Sequence, residues 1–346
     1  MSFERPLPGP ARSLYFRLPE DGVYIVGDHA AQSALELFEG LIQGSRPHLS
    51  RAISVVENGA PGAAELLSHA YKARKGAHIT GITGSPGVGK STLVDGIVRE
   101  MRKAGQTVGI IAVDPSSPFT GGAILGDRVR MGQGHALDEG VFFRSLATRG
   151  HLGGLSRHTG DVIALLDAFG FDQIVVETVG AGQSEVDIMK YAHTVVVALA
   201  PGLGDDMQAI KAGILEIGDI FCVNKADLPG AERTRRDIEM MLDMKEPAGW
   251  RPPVVRAIAV NGEGLGDLVS EIFRHRSYLV ASDTLKEKKR WSYTAVLEEY
   301  LRLLTVAKVL ESAARDGSLD AALDDLMHGK AGPMEAALNL LNKYRT

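Results

Sequence analysis

The chain has 346 residues, 45% of them hydrophobic and 23% charged, with a formal net charge of -5. Those proportions suit a globular protein with room for one large α/β domain and helical extensions, or for two modest domains. The small acidic excess argues against a nucleic-acid footprint, and no apolar run reaches the ~20 residues of a membrane span. The one cysteine, Cys222, rules out an internal disulfide and a thiolate metal cluster. Within "DIFCVNKAD" it reads as a small buried apolar residue.

Residues 1–29 are punctuated by Pro and Gly and show no periodicity. "MSFERPLPGPARSLYFRLPEDG" lacks the apolar core of a secretory signal, and Glu4, Glu20 and Asp21 are unlike a transit peptide, so a cytoplasmic location is expected. From Ala30 to Arg74 the pattern predicts helices, in "AAQSALELFEGLIQG", "RPHLSRAISVVEN" and "PGAAELLSHAYKARK", closed by Gly44, Gly59 and Gly76.

From His78 to about Arg276, short β-rich runs alternate with helical stretches: "HITGIT", "TVGIIAVD", "VFFRSLA", "QIVVETV", "TVVVALA", "IFCVNK" and "VVRAIAV". Several are apolar almost throughout, as strands covered on both faces by helices should be. The predicted class is α/β with a mainly parallel sheet. Beyond Tyr278 the pattern is helical again. A long predicted helix places Trp291, Leu297, Leu301, Leu304 and Leu310 on one stripe, either core or a dimer face, and "LDAALDDLMHG" and "PMEAALNLLNKY" follow. The expected division is an amino-terminal segment with helices over 1–76, a sheet domain over 77–277 and a helical extension over 278–346.

"GSPGVGKS" matches G-x-x-x-x-G-K-[ST] between a predicted strand and a predicted helix, the context that gives this motif its meaning. Gly84, Gly87 and Gly89 let the backbone bend, so that N–H groups from Gly84 through Ser85, Pro86 and Val88 to Thr92 (proline lacking one) surround anionic oxygens. The following helix adds its positive dipole end. Lys90 is placed for β- and γ-phosphates and Ser91 for Mg²⁺. Further oxygens for the metal are sought among Asp114, Asp127 and Glu177. Asp114 and Glu177 follow apolar strands and so stand at the carboxyl edge where open α/β sheets bind ligands. Solvated surface is a credible alternative for Asp127.

"CVNKADL" then selects the base. The carboxylate of Asp227 can accept from both N1–H and the exocyclic amine of guanine, a pair that adenine does not offer. The stem of Lys225 can lie over the purine, Asn224 braces the loop, and "RAIAVNGEGL" offers the Ala259 N–H to guanine O6. In "ETVG", Gly180 stands where many switch GTPases sense the γ-phosphate through an N–H, so this loop should order with GTP and relax with GDP. Ala181 follows it, and Gln183 comes two positions later. With no water-orienting side chain directly after the glycine, a slow intrinsic rate and stimulation by a partner are expected.

Taken in order, "GITGSPGVGKSTL", "VDPSSPFTGGAILGDRVRM", "RSLATRGHLGGLS", "VVETVGAGQSE", "APGLGDDMQAIKAGILEI" and "VNKAD" make the chain resemble the P-loop GTPases of the MeaB/ArgK group, the bacterial counterparts of the human methylmalonic aciduria type A protein. The resemblance covers about Leu37 to Arg276 well and the carboxyl-terminal helices loosely. It implies a P-loop NTPase fold and a GTPase chaperone that gates adenosylcobalamin loading into an acyl-CoA mutase and protects that enzyme. It also implies a metal and nucleotide shell of Ser91, Asp114, Asp127 and Glu177, with switch I over Asp114 to Arg130 and a switch III loop over Pro201 to Lys211. Arg130, Asp205 and Lys211 are then candidates for groups that the mutase moves into place, and a homodimer through the carboxyl-terminal helices is implied. A metal-delivery GTPase of the nickel-insertion kind is the alternative on the same core. It would need clustered soft or imidazole ligands, whereas the ten histidines are scattered.

Overall fold

The computed structural model describes residues 28–114, 138–147, 157–178, 187–202, 215–244 and 249–344. Within them, β1 (His78–Thr83), β2 (Val108–Asp114), β3 (Val141–Ala147), β4 (Gln173–Glu177), β5 (Thr194–Leu199), β6 (Ile220–Val223) and β7 (Val254–Arg256) form one sheet. Their order is β3-β2-β4-β1-β5-β6-β7, and every pairing is parallel. All the runs predicted to be strands are therefore strands of a single parallel sheet.

Both faces are covered, which is why the runs read as continuously apolar. Along β4, Ile174 and Val176 face one core and Val175 the other; along β5, Val195, Val197 and Leu199 oppose Val196 and Ala198. The first core is closed by α1 (Asp28–Ile42), α2 (Arg46–Glu57), α3 (Ala63–Lys72), α5 (Arg157–Phe169) and α6 (Ala231–Asp243). The second is closed by α4 (Lys90–Lys103) and α7 (Leu265–Ala281). Gly44, Gly59 and Gly76 take left-handed φ values of 87°, 57° and 92° after the first three helices, as their expected closing role requires. No helix among the described residues is long and apolar enough to cross a membrane.

The chain runs from β1 to β2, two places along the sheet, with β4 between them and β5 on the far side of β1. Strand order therefore reverses at β1, and the crevice for a ligand opens at its carboxyl end. What holds β1 in register at its other end is a carboxylate. Asp167 of α5, nearly fully buried, accepts from the backbone N–H groups of Lys75 (3.0 Å), Gly76 (2.7 Å) and Ala77 (2.9 Å) and from Arg74 Nε (2.6 Å). It thereby satisfies the turn that leads from α3 into the sheet.

By its contacts the chain divides into two compact units. One spans Asp28–Val296 and holds the sheet and the helices named so far. The described residues of the other, 297–344, run from within α8 (Thr284–Arg315) through α9 (Ser318–Met327) to α10 (Pro333–Lys343). In this unit only Ala307, Val309, Ala313 and Ala336 are buried among the described residues. The stripe predicted along α8 is covered in part: Leu304 and Leu310 are half-buried, whereas Trp291, Leu297 and Leu301 are exposed, as are Leu338 and Leu341 of α10.

Replacing Asp167 with alanine leaves the buried Ala77 N–H, the part-buried N–H groups of Lys75 and Gly76, and a guanidinium without their acceptor. The expected loss is about 3 kcal/mol of unfolding free energy, read by urea denaturation of the purified variant.

Candidate nucleotide site

The turn between β1 and α4 is built by glycine. Gly84, Gly87 and Gly89 have φ values of 140°, 83° and 89°, in the range that side chains disfavour. At Gly84 space forbids a side chain as well, because a β-carbon there would overlap the Ala198 carbonyl of β5. At Gly89 it would come within 2.8 Å of the Asn224 amide nitrogen.

Lys90 opens α4 with its side chain folded inward and buried, donating to the carbonyls of Gly84 (2.7 Å) and Ser85 (3.1 Å). The ammonium thus rests inside the loop. Ser91 Oγ donates to Glu177 Oε1 at 2.7 Å, joining the first turn of α4 to the last residue of β4. Register aligns Glu177 with Ile82 of β1 and Ala112 of β2. Asp114, two residues beyond Ala112, ends β2 on the same edge. A hydroxyl and a carboxylate brought together at a helix N-terminus are hard oxygen donors of the kind Mg²⁺ takes, so the residues present fit that ion.

The base-reading loop is bolted to the phosphate loop. Asn224, buried at the end of β6, donates from Nδ2 to the Val88 carbonyl (2.8 Å) and accepts at Oδ1 from the Ala259 N–H (3.1 Å). Lys225 adopts a left-handed φ of 55° and donates Nζ to the Gly87 carbonyl at 2.7 Å, which lays its stem across the gap. Asp227 is exposed beyond it. The Ala259 N–H, expected to meet a base oxygen, is directed at Asn224 in this structure.

The structure thus brings Gly84–Ser91 together with Glu177, Asn224, Lys225 and Ala259. Asp127, Arg130, Gly180, Asp205 and Lys211 lie outside the described residues. Sequence reading missed the buried pair behind the loop, where Thr178 Oγ1 donates to Thr83 Oγ1 at 3.1 Å and the Thr178 N–H to the Ile82 carbonyl at 3.0 Å. The only signal was position: Thr83 precedes the loop and Thr178 follows the acid.

The family model described as "Methylmalonyl Co-A mutase-associated GTPase MeaB" matches residues 49–314. A Pyrococcus abyssi protein is 46% identical over 312 residues, 89% of this chain and 96% of its own. The mouse protein named "Methylmalonic aciduria type A homolog, mitochondrial" is 32% identical over 289 residues, 77% of this chain and 69% of its own. Among solved structures, one titled as an LAO/AO transport system kinase superposes with a TM-score of 0.68 over 91% of this chain and 98% of its own. At 23% identity, that likeness speaks for the fold.

Proposed function

The chain belongs to the MeaB family of GTPases, and from that premise we propose that its GTP cycle, run with Mg²⁺, gates the loading of adenosylcobalamin into an acyl-CoA mutase. Methylmalonyl-CoA mutase is the first candidate client and 2-hydroxyisobutyryl-CoA mutase a second. The observation that carries the nucleotide half of this reading is the joined site: Lys90 inside the glycine loop, Ser91 on Glu177, and Asn224 and Lys225 bonded to that same loop.

In hydrolysis, water attacks the γ-phosphorus, the bond to the β–γ bridging oxygen breaks, and GDP and phosphate leave. Lys90 is placed to turn from the Gly84 and Ser85 carbonyls to the β- and γ-phosphate oxygens, where its charge stabilises the transition state. Ser91 and Glu177 would hold Mg²⁺, with Asp114 and Asp127 completing its surroundings directly or through water; when bound, the ion neutralises phosphate charge. Gly180 would sense the γ-phosphate. Arg130, Asp205 and Lys211 would be drawn into place by the mutase, because no glutamine directly follows Gly180 to orient water.

The carboxyl-terminal helices supply the dimer half of the proposal. Among the described residues of that unit four are buried, all small or β-branched, a core too slight to use up their apolar surface. The exposed leucines of α8 and α10 are the matching surface for a second copy. The cytoplasm is the compartment that suits this reading.

Asp227→Asn should weaken GTP binding by at least ~100-fold and bring xanthosine triphosphate to the wild-type GTP level, measured by isothermal titration; equal losses for both nucleotides would contradict the assignment. With the cognate mutase present, steady-state GTP hydrolysis should rise on the order of 10-fold or more, and an unchanged rate would end the chaperone reading. Light scattering on the purified chain should report a dimer that Leu301→Glu with Leu338→Glu converts to monomer. A wild-type monomer at micromolar concentration would remove the dimer from the proposal.

A further inference from the structure

At the opposite, amino-terminal edge of the sheet lies a second polar cluster that the GTP cycle does not use. His78 opens β1, Thr194 opens β5 with His193 before it, Asp219 precedes β6, and His275 stands near the end of α7. His78, His193, Thr194 and His275 are all buried. Two hydrogen bonds link three of them, His78 Nε2 with Thr194 Oγ1 at 2.8 Å and Thr194 Oγ1 with His275 Nδ1 at 2.8 Å, and His275 Nε2 faces Asp219 Oδ1 at 3.4 Å, an ion-pair distance without a hydrogen bond.

The cluster ends on α8. Lys288 Nζ donates to both Asp219 oxygens (3.1 and 2.9 Å) and to the His193 carbonyl (2.9 Å). Asp219 Oδ2 also accepts the Val195 N–H at 2.9 Å. A single carboxylate therefore serves the ammonium, a backbone amide and a facing imidazole.

Charge sets the direction of the two histidine–threonine bonds. The negative charge of Asp219 favours the His275 proton on the nearer nitrogen, Nε2; in that tautomer Nδ1 is bare and takes the Thr194 proton, and His78 donates Nε2–H to Thr194. His193 Nδ1 accepts the Ile79 N–H at 3.2 Å and is bare as well. Each ring then carries one proton. A second proton on His275 aims a new N–H at the threonine oxygen and leaves the hydroxyl proton without an acceptor. It also sets two cations against the one charge of Asp219. Lys288 is the more exposed of the two, with its side chain 31% accessible against 1% for His275, and so it is the one that can leave.

Residues 284–296 lie at the surface. None is buried, all of the buried positions of α8 lying from Ala307 onward. Besides Lys288, these turns meet the rest of the unit through Tyr293, whose Oη accepts from Arg74 Nη1 at 3.1 Å and whose ring lies under the same guanidinium, and through Val296 beside Gly160. Such a segment belongs to the low-stability end of a fold.

We infer that His78, Thr194, His275, Asp219 and Lys288 form an acid-operated latch: protonation of His275 hands Asp219 to the imidazolium, frees Lys288 and releases the first turns of α8. The charged surroundings agree. Burial lowers His275 to about 4, with Asp219 opposing and Lys288 reinforcing the shift. Burial lowers His193 to about 3, reinforced by Lys289, Arg74 and Lys288 and opposed by Asp167. His78 is lowered by burial, then by His193, Arg276, His275 and Lys288. A folded-state value below the ordinary ~6.5 means that the closed form is fully stable above that pH and loses stability as pH falls toward 4. At pH 5.5 one such imidazole shifts the closing equilibrium by about 10-fold.

Amide hydrogen exchange on the full-length protein, corrected for intrinsic rates, tests this at pH 7.5 and 5.5. Protection over residues 284–296 should fall about 10-fold at the lower pH while β1 and β5 keep theirs. His275→Gln, which cannot charge, should abolish the fall, and Lys288→Met should show low protection at both values. Unchanged protection in wild type, a fall shared by β1 and β5, or a fall retained in His275→Gln would each overturn the latch. Should His275→Gln not fold, Trp291→Phe leaves Trp250, with its ring 4.7 Å from that of His275, as the sole tryptophan. Its emission must then titrate together with the loss of protection, and separate midpoints would refute the proposal.

Discussion

The site rests on the packing of one backbone turn. Residues Gly84 to Gly89 must pass between the carboxyl ends of β1 and β5 closely enough that Gly84 lies against the Ala198 carbonyl. The turn must also leave its N–H groups facing a common point. Neighbouring strands set the space and glycine supplies the dihedral freedom. Asn224 then fastens the far side of the turn by its bond to the Val88 carbonyl. The phosphate and base halves of the site consequently share one rigid wall, and a shift at Asn224 would move both.

The parts legible in the sequence are those governed by local pattern. "QIVVETV" and "TVVVALA" announced themselves because burial on both faces removes polar residues from the run. The phosphate loop and "NKAD" were legible because their chemistry tolerates few residue types. The last run, "VVRAIAV", narrowed to Val254–Arg256. There the chain leaves the sheet, and Ile258 instead pairs with Glu263 in an isolated antiparallel bridge.

What stayed hidden depends on residues far apart in the chain. Asp167 gives no sign, within its own helix, of closing a turn that lies 90 or more positions earlier. His78, Thr194 and His275 come from three elements, so no spacing rule connects them. The stripe on α8 was visible, but whether it faced a core or a partner was not, because period alone does not say what lies opposite. The two edges of the sheet thus differ in kind. The carboxyl edge is written in motifs, and the amino edge is written in tertiary contacts.

The central claim is that the ammonium of Lys90 and the hydroxyl of Ser91 wait on protein oxygens whose places a guanine nucleotide and its metal ion would take over. A crystal structure with a non-hydrolysable GTP analogue and Mg²⁺ tests this most directly. Lys90 Nζ should have left the Gly84 and Ser85 carbonyls for the β- and γ-phosphate oxygens, with Ser91 on the metal and the Asp227 carboxylate on the guanine edge. Nucleotide bound elsewhere, or bound there with Lys90 still on Gly84, would contradict the account.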